Sequence, residues 1–325
     1  MQAPASSPSA GPIRRISVII PARNEAALIG RVVAAVLAHE PPNAELEVLV
    51  VDDGSSDDTC ALARAAGARV IELRGTGGNP AAARNRGAAA SSGDPIIFLD
   101  ADCVPAHTWL AALLEAHARG ATVVGGSLDL PPGLPPSARC DYYCGWYLVH
   151  SRRPAGFVPH HPPPNLSVRR EAFQSTSGFS ERPPLNYTNE ERAWQGELLR
   201  AGHRIWFEPS AIAFHYNRPG LRQLLRRNYR WAFTAVESKS QTGAARYAWL
   251  YRYPRLLIVA SPALAVAHTA FIVGCWVRAG VLEPVLMLPM IFASRLAYCA
   301  GMAAGGLRWL RARETGASSY APTWR

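Results

Sequence analysis

Strand-like and helix-like segments alternate four times in the first third of the chain, and this alternation constrains the fold most. Apolar runs typical of buried strands are each followed by a segment of helical period or of small residues. The runs are Ile16–Ile20, Leu46–Val51, Arg69–Leu73 and Ile96–Leu99. Such an alternation is typical of α/β proteins. We therefore predict an α/β fold with a Rossmann-like, mostly parallel sheet flanked by helices.

Two carboxylates, Asp100 and Asp102, directly follow the fourth strand-like run. In open α/β sheets, ligands bind outside the carboxyl ends of the strands. Two acidic side chains one residue apart repel each other unless a cation joins them, and oxygen ligands suit Mg²⁺ or Mn²⁺. Taken alone, such a pair more often caps a strand and opens a turn, so the other motifs must decide whether it holds a metal.

The sequence lacks the common nucleotide-binding signatures of α/β proteins. The turn after the first strand has no Gly-x-Gly-x-x-Gly, and no Gly-x-x-x-x-Gly-Lys-Ser/Thr occurs. This disfavours dinucleotide and P-loop chemistry. Acidic residues end the second and fourth strands instead. They fit a site in which one carboxylate binds a ribose or base and another pair binds a metal-bound diphosphate.

Residues 16–102 resemble the nucleotide-binding half of family 2 glycosyltransferases, which have the GT-A fold. Four motifs carry the resemblance in the family's order: Val18–Glu25, Val50–Thr59, Ala83–Gly87 and Phe98–Asp102. The similarity continues through residues 165–215. The resemblance therefore covers about 200 residues and rests on more than one acidic pair.

The resemblance implies roles for the residues of these motifs. The first two motifs would hold the uridine of a nucleotide sugar, with Asp53 accepting from the base or ribose. Arg84 would reach the diphosphate or the strand-end carboxylates, Asp102 would ligate the metal, and Asp100 would lie nearer the ribose or a bound water. His215 stands where the family often has a further metal ligand, so Asp102 and His215 are the predicted ligands of Mg²⁺ or Mn²⁺. The predicted donor-binding residues are Pro21, Arg23, Asn24, Glu25, Asp53, Ser55, Arg84 and Asp100.

Asn189, Glu190 and Glu191 occupy the place of the family's acidic pair at a helix start. Aligned residue by residue, Glu191 takes the role of catalytic base and Glu190 the flanking one. Glu for Asp is a departure, since one extra methylene moves the carboxylate by about 1.5 Å, enough to affect proton transfer. Glu197 also stands where the family has an arginine. Alternatively, both acids only stabilise the first turn of a helix.

The middle of the chain offers weaker signals. The six cysteines show neither a disulfide framework nor zinc-site spacing, which favours reduced thiols in a cytosolic domain. A cluster of aromatic residues is interpreted as core packing rather than a ligand site, and two adjacent histidines are interpreted as residues of a flexible loop rather than metal ligands. These are Tyr142, Tyr143, Trp146 and Tyr147, and His160 and His161.

Positive charge is concentrated beyond residue 217. The chain has a net charge of +10, and residues 218–255 carry nine basic residues against one acid, Glu237. Arg222, Arg226 and Arg230 share one face of a predicted helix that has apolar residues elsewhere. A basic amphipathic helix is typical of a membrane interface. The nucleotide-sugar motifs disfavour nucleic acid as the anionic partner.

Two apolar segments follow. Leu256–Val277 is an uncharged run of 22 residues, long enough to cross a bilayer, and Val281–Leu307 is a second candidate that contains Glu283 and Arg295. Arginines flank the outer ends of both segments, which predicts a membrane hairpin with both ends in the cytoplasm. Alternatively, the two helices lie half-sunk in one leaflet or pack at a dimer interface, as prolines within them allow.

These observations predict a domain order and a function. We expect a disordered leader at residues 1–14 and a catalytic domain at 15–217, with a nucleotide-binding half at 15–102 and an acceptor-side half at 103–217. A basic interfacial segment at 218–255, a membrane hairpin at 256–310 and a tail at 311–325 should follow. The hypothesis is an inverting, metal-dependent, non-processive glycosyltransferase of the cytoplasmic membrane whose catalytic domain faces the cytoplasm. Its partners would be a UDP-sugar donor, a lipid or lipid-linked acceptor and the membrane. The alternatives are a metal-dependent nucleotidyltransferase and a non-catalytic membrane scaffold with a relic nucleotide site.

Overall fold

A computed structural model of the chain describes residues 13–73, 78–181, 190–242 and 253–315. The chain divides into two compact units. The first comprises the residues up to Pro131, Val149–Ser180 and Trp194–Tyr216. The second comprises Pro132–Leu148, Glu181–Ala193 and the residues from Asn217 onward. The second unit therefore takes in two segments from within the predicted catalytic range.

In the part of the chain that the structure describes, the first unit is built on a nine-stranded mixed sheet. The strands are β1 (Arg15–Ala22), β2 (Glu45–Asp52), β3 (Arg69–Glu72), β4 (Ile96–Leu99), β5 (Cys103–Pro105), β6 (Val123–Asp129), β7 (Gly156–Val158), β8 (Asn165–Val168) and β9 (Ile205–His215). They follow the order β3-β2-β1-β4-β8-β6-β9-β5, with β7 paired to β9. In the described sheet β5, β7 and β8 run against the direction shared by the others. The prediction of a mostly parallel sheet flanked by helices is confirmed.

The described helices are α1 (Ile29–Leu37), α2 (Thr59–Ala65), α3 (Pro80–Ala90), α4 (Trp109–Ala118), α5 (Pro136–Gly145), α6 (Arg170–Gln174), α7 (Glu190–Arg200), α8 (Leu221–Thr242), α9 (Pro254–Arg278), α10 (Glu283–Leu286) and α11 (Leu288–Thr315). The helical period predicted α1 correctly, since Ile29, Val32, Val33 and Val36 are its buried face. α3 packs closely on the sheet because Gly87 leaves no side chain there. A Cβ at Gly87 would lie 2.3 Å from Cγ2 of Ile19.

An aromatic cluster fills the core beneath β4. The ring of Phe98 packs edge-on against Phe179 and Trp194, with centroids 5.0 Å and 6.0 Å away. Phe179 and Trp194 are themselves 4.4 Å apart. All three side chains are buried. This core fixes β4, and hence the acidic residues that follow it, to the loop that carries Phe179.

His161 is fully buried, so its interpretation as a flexible-loop residue is wrong. Its ring nitrogens lie 2.8 Å from the carbonyl oxygens of Pro162 and Gly126. The side chain of Gln195 brackets its backbone, donating to the His161 carbonyl at 2.6 Å and accepting from its N–H at 3.1 Å. The proline-rich sequence around it suggested an irregular, exposed connection. Buried backbone groups there need partners, and His161 and Gln195 supply them.

A second buried histidine makes stability depend on pH. His117 on α4 lies with Nδ1 2.7 Å from the Ala121 carbonyl oxygen and Nε2 2.7 Å from Oγ of Ser167. Burial lowers the pKa of His117 from 6.5 to about 4. Because the unfolded chain takes up the proton first, we expect stability to fall as the pH drops from about 6.5 to about 4, with a contribution from this group of about 3 kcal/mol.

Urea unfolding followed between pH 7 and pH 4 measures this dependence. His117→Gln should make the profile less steep by the share of this one group, since burial also lowers the pKa of His150 and of His161 to about 4. The same change at the exposed His107 should leave the profile as steep as in the unsubstituted chain. A His117→Gln profile as steep as that of the unsubstituted chain would contradict the assignment.

The second unit contains the helices α5, α8, α9, α10 and α11. Two of them are long and apolar enough to cross a membrane, over Ile258–Arg278 and Leu288–Arg311. The second candidate begins later than the predicted Val281, because a short separate helix, α10, precedes it. Pro284 lies in the first turn of α10, where a missing N–H costs nothing. Tyr142 and Tyr143 are buried against Trp276, with centroids 5.4 Å and 5.1 Å away, as the core-packing interpretation predicted.

Two glycines let α8 and α11 approach closely. A Cβ at Gly301 would lie 2.1 Å from the carbonyl oxygen of Tyr229, and one at Gly305 would lie 2.3 Å from that of Phe233. Glycines four residues apart are a common device for close helix contact in membranes. The basic helix α8 is therefore packed along its apolar neighbour over at least one turn.

Gly305→Ala is expected to destabilise the second unit by about 1–3 kcal/mol, because the added methyl group meets backbone and forces the helices apart. Thermal unfolding in detergent measures the loss. Gly274→Ala is the matched control, since a Cβ there meets nothing nearer than a flexible arginine tip at 3.5 Å. Equal melting temperatures for the Gly305→Ala and Gly274→Ala proteins would contradict the close contact.

The charged residue within α11 has partners inside the bundle. Arg295 is buried, and its guanidinium donates to Oδ1 of Asn228 and, at 3.0 Å, to Oγ of Ser294. Its charge also lies 5.2 Å from the centre of the Tyr298 ring. A buried charge in an apolar helix is costly unless it is hydrogen-bonded, and here it is.

Candidate active site

The carboxyl ends of β1, β2 and β4 lie side by side, because β1 pairs in parallel with both of the others. The loops that follow these strands enclose a cleft of about 270 Å³. Seven of the predicted site residues line it: Pro21, Arg23, Glu25, Asp53, Arg84, Asp100 and Asp102. The structure thus brings together most of the predicted donor-binding residues at the expected edge of the sheet.

Asn24 and Ser55 have a different place from the other predicted donor-binding residues. The N–H of Asn24 donates to Oγ of Ser55 at 2.9 Å, and Oδ1 of Asn24 accepts from the N–H of Ser56 at 2.8 Å. Asn24 has a φ of 54°, a conformation that asparagine adopts more readily than most residues. These bonds fasten the loop after β1 to the loop after β2. Direct contact of Asn24 or Ser55 with a nucleotide stays a prediction.

Asp52 shapes the second loop, a role that the sequence did not reveal. Its Oδ2 accepts from the N–H groups of Gly54 at 3.2 Å and Ser55 at 3.0 Å, and its Oδ1 accepts from Oγ of Ser55. The turn passes through Gly54 at a φ of 76°, where a glycine is favoured. With one carboxylate folding the turn, the neighbouring Asp53 is left to line the cleft.

Arg84 and Asp100 form an ion pair in the wall of the cleft. Nη2 of Arg84 lies 2.8 Å from Oδ1 of Asp100, and the arginine side chain is only 4% exposed. Burial raises the pKa of Asp100. The nearby charge of Arg84 lowers that pKa, the carboxylate of Asp102 raises it further, and His215 lowers it. The interpretation of Arg84 as a partner of the strand-end carboxylates is therefore visible in the structure. A contact with a diphosphate stays a prediction.

Asn85, beside Arg84, positions another part of the first unit. Its Nδ2 donates to the Phe179 carbonyl at 2.8 Å, and its Oδ1 accepts from the Phe179 N–H at 2.9 Å. The preceding Gly178 has a φ of 74°, and a Cβ there would lie 2.7 Å from Oδ1 of Asn85. Three residues of the Ala83–Gly87 motif therefore have structural roles. Arg84 pairs with Asp100, Asn85 holds the loop at Phe179, and Gly87 allows α3 to lie close to the sheet.

Asp102 and His215 come together although they lie 113 positions apart in the sequence. Nε2 of His215 lies 3.6 Å from Oδ1 of Asp102, with the two side chains 6% and 25% exposed respectively. Cys103 pairs with His215 across β5 and β9, and its Sγ lies 3.7 Å from Oδ1 of Asp102. Ligand atoms of the three residues all lie within 4.8 Å of one another. The carboxylate oxygen of Asp102 and the ring nitrogen of His215 are donors that fit a divalent ion such as Mn²⁺, whereas a cysteine sulfur suits softer ions.

Cys103 was not among the predicted metal ligands. Burial, together with the nearby Asp102 and Asp100 charges, raises the pKa of its thiol well above the usual range. A protonated thiol at this place donates weakly to Asp102 and helps to orient it. The sequence offers only its position directly after Asp102, and the strand pairing, which places Cys103 opposite His215, is visible in the structure alone.

Glu190 and Glu191 form the first turn of α7, and both are buried. Two acids at this position are stabilised by the helix dipole, as the alternative interpretation stated. Asn189 lies outside the described residues. Both glutamates belong to the second unit, whereas the cleft belongs to the first. Their catalytic role therefore stays a prediction.

Comparison with known proteins gives consistent matches. Residues 17–176 match the family model described as glycosyl transferase family 2. The chain is 32% identical over 227 residues to the glycosyltransferase AglE of Haloferax volcanii. This alignment covers 66% of this chain and 71% of AglE. It is also 32% identical over 238 residues to a pre-mycofactocin glycosyltransferase of Mycobacterium tuberculosis, covering 68% of this chain and 47% of the relative.

Two solved structures share the fold. The mannosyltransferase PcManGT of Pyrobaculum calidifontis, in complex with GDP-Man and Mn²⁺, superposes with a TM-score of 0.58 at 21% identity, covering 94% of this chain and 89% of its own. GalNAc-T7, with UDP, GalNAc and Mn²⁺, gives a TM-score of 0.52 at 18% identity, covering 76% of this chain and 55% of its own. At these identities the likeness establishes the architecture.

Proposed function

The chain belongs to glycosyltransferase family 2, and we propose that it transfers a sugar from a nucleotide-sugar donor to a membrane-associated acceptor, with inversion at the anomeric carbon. The observation that carries the proposal is the pairing of Asp102 with His215 at the end of β4, beside the Arg84–Asp100 pair. Both PcManGT and GalNAc-T7 were solved with a nucleotide or nucleotide sugar and Mn²⁺.

The donor would bind in the cleft between the loops after β1, β2 and β4. Asp53 would accept a hydrogen bond from the base or ribose, and Arg84 would keep Asp100 oriented while its charge faces the diphosphate. Asp102 and His215 would hold a divalent cation. When bound, such a cation neutralises charge that develops on a leaving diphosphate, an effect worth several kcal/mol.

The transfer itself exchanges one bond for another. The acceptor oxygen forms a bond to the anomeric carbon, and the bond from that carbon to the diphosphate oxygen breaks. The nucleoside diphosphate leaves with the electron pair. The proton of an acceptor hydroxyl goes to Glu191, a general-base contribution of typically 10²–10⁴-fold.

We further propose that the chain works at the cytoplasmic face of a membrane. Support comes from its two long apolar helices and from the nine basic residues in 218–255. Anionic lipid attracts such segments, and an acceptor anchored in the same bilayer would be concentrated near the enzyme. The motif Arg227–Trp231 resembles the Gln-x-x-Arg-Trp of processive synthases without its glutamine, which supports a single transfer.

One assay tests this proposal against its alternatives. The full chain in detergent is incubated with UDP-sugars and GDP-sugars, with and without Mn²⁺, and the released nucleotide is identified. We expect metal-dependent release of the nucleoside diphosphate. A parallel incubation supplies a nucleoside triphosphate and a sugar phosphate instead, and release of pyrophosphate there would show a nucleotidyltransferase. Binding of nucleotide without turnover of any donor would favour the scaffold. A thermal-shift screen across the same donors identifies the preferred base and sugar.

A further inference from the structure

α5 contacts the beginning of α8 within the second unit. Oγ of Ser137 accepts from the N–H of Gly220 at 2.8 Å. Further along, the buried Asp141 accepts from Nδ2 of Asn217 at 2.8 Å and pairs with Arg227. These contacts fix α5 against the first two turns of α8.

The same short helix contacts the turn between α9 and α11. Nε1 of Trp276, near the end of α9, donates to the Tyr143 carbonyl at 2.9 Å. Oη of Tyr143 donates to a carboxylate oxygen of Glu283 at 2.7 Å, and Arg139 pairs with the same carboxylate. The turn that joins the two apolar helices therefore lies at the same end of the bundle as α5 and the start of α8.

α8 runs parallel to α11 from that end. Tyr229 meets Gly301, and Phe233, one turn later, meets Gly305. Arg308 follows, with its guanidinium 5.6 Å from the ring of Phe233. Any membrane that α11 crossed at this level would therefore also enclose α8.

Two arguments exclude a spanning hairpin. The segment Pro132–Leu148 continues at both ends into the first unit, and its ten-residue helix is too short to cross a hydrocarbon core of about 30 Å. α5, and with it the hairpin turn, therefore stays on the first unit's side of the membrane. If α9 and α11 crossed the membrane with their turn on that side, α8 would cross with them. Its exposed Arg222 and Arg226 would then lie in lipid, at a cost of about 3 kcal/mol or more for each.

α9 offers a surface suited to lipid. Val259 is 79% exposed and Val266 is 59% exposed, and the exposed Ala263 and Ala270 continue the same stripe along the helix. Only 17% of the most apolar stretch of α9 is buried, against 44% of the corresponding stretch of α11. From residue 256 to residue 277 the sequence has no charged residue, while exposed arginines stand at positions 255 and 278. Arginines at both ends complement anionic headgroups.

We propose that the bundle lies within a single leaflet, on the side of the membrane that the first unit occupies, with the α9 stripe (Val259, Ala263, Val266 and Ala270) immersed in the acyl chains. The bound surface is an anionic lipid leaflet. This deepens the membrane association proposed above and rests on it. It replaces the spanning hairpin predicted from length and arginine flanks with the alternative that the sequence left open.

The side on which the hairpin turn lies is tested by thiol labelling. Arg278→Cys places a thiol at the exposed end of α9, and Leu62→Cys places one on the exposed surface of α2 in the first unit. In sealed membranes from cells expressing the full chain, a membrane-impermeant maleimide should label both thiols from the same face, above the background of the unsubstituted chain.

Labelling of the two thiols from opposite faces would overturn the proposal. The proposal would also be overturned if the Arg278→Cys thiol reacted with the maleimide from neither face of the sealed membranes but did react after detergent was added. A chain found only in the soluble fraction would remove the membrane association itself. None of these readouts needs a sugar donor, so they fail independently of the proposed transfer activity.

The lipid-facing stripe is tested by flotation with vesicles of phosphatidylglycerol and phosphatidylcholine. We expect Val259→Lys combined with Val266→Lys to lower the vesicle-bound fraction at least tenfold. Leu62→Lys, a matched change of an exposed apolar residue in the first unit, should leave binding unchanged. Thermal unfolding in detergent verifies that the bundle is folded. Folded double-lysine protein that binds vesicles like the unsubstituted chain would contradict the immersion of α9.

Discussion

Asp102→Ala is expected to abolish the metal-dependent part of nucleotide binding and to lower turnover by about 10²–10⁴-fold. Asp102 lines the cleft at the end of β4 and lies 3.6 Å from His215, so the two residues provide an oxygen and a nitrogen donor close together. Removing the carboxylate leaves the imidazole and a buried thiol, a donor set ill suited to Mg²⁺. Calorimetric titration with UDP and with GDP, each with and without Mn²⁺, measures the loss.

Asp58→Ala is the control for Asp102→Ala. Asp58 is an exposed carboxylate at the start of α2, so its removal changes the net charge equally without touching the cleft. The thermal stability of both variants should match that of the unsubstituted chain. Unchanged affinity for nucleotide and Mn²⁺ in Asp102→Ala would remove Asp102 from the metal site.

Glu191→Gln is expected to lower kcat by about 10²–10⁴-fold on a hydroxyl acceptor while the KM for the donor changes little. A hydroxyl has a high pKa, so its proton must be taken up as the glycosidic bond forms. A phosphate acceptor is already ionised at neutral pH, and the same variant would then lose little. The size of the effect on a given acceptor therefore also reports the acceptor's chemistry.

Glu190→Gln is the matched control, since it alters the neighbouring first-turn carboxylate of the same helix. If the two acids only stabilised α7, both variants would lower the melting temperature alike and neither would change kcat selectively. Full activity of Glu191→Gln on a hydroxyl acceptor would exclude Glu191 as the base.

The nucleotide-binding half could be predicted well because its information is local. Each strand there is a short apolar run, each helix follows at once, and the predicted run Ile96–Leu99 coincides with β4. The parallel order also follows from the alternation. The pairing of the strands beyond β4 did not follow from the alternation, because β8 enters the sheet antiparallel between β4 and β6. Such pairings join residues far apart in sequence, and no local period encodes them.

The site shows the same division. Arg23, Asp53 and Asp100 could be assigned to the cleft, since they follow strands that end together. Asp52 and Asn85 carry polar side chains that bind backbone of nearby loops, and sequence does not distinguish this role from ligand binding. In the second unit, the four-residue spacing of Gly301 and Gly305 indicates close helix packing. The prediction from hydropathy alone did not use this spacing.

The fastening of the two loops by Asn24 and Ser55 has a consequence for redesign. Because these side chains serve the scaffold, the choice between pyrimidine and purine donors would fall to the groups that line the cleft, Arg23, Glu25 and Asp53. We expect substitutions at those three positions to alter base preference, while the hydrogen bonds of Asn24 that hold the turn stay in place. A library restricted to them, on an otherwise unaltered chain, is therefore a compact route to an enzyme that accepts a different nucleotide.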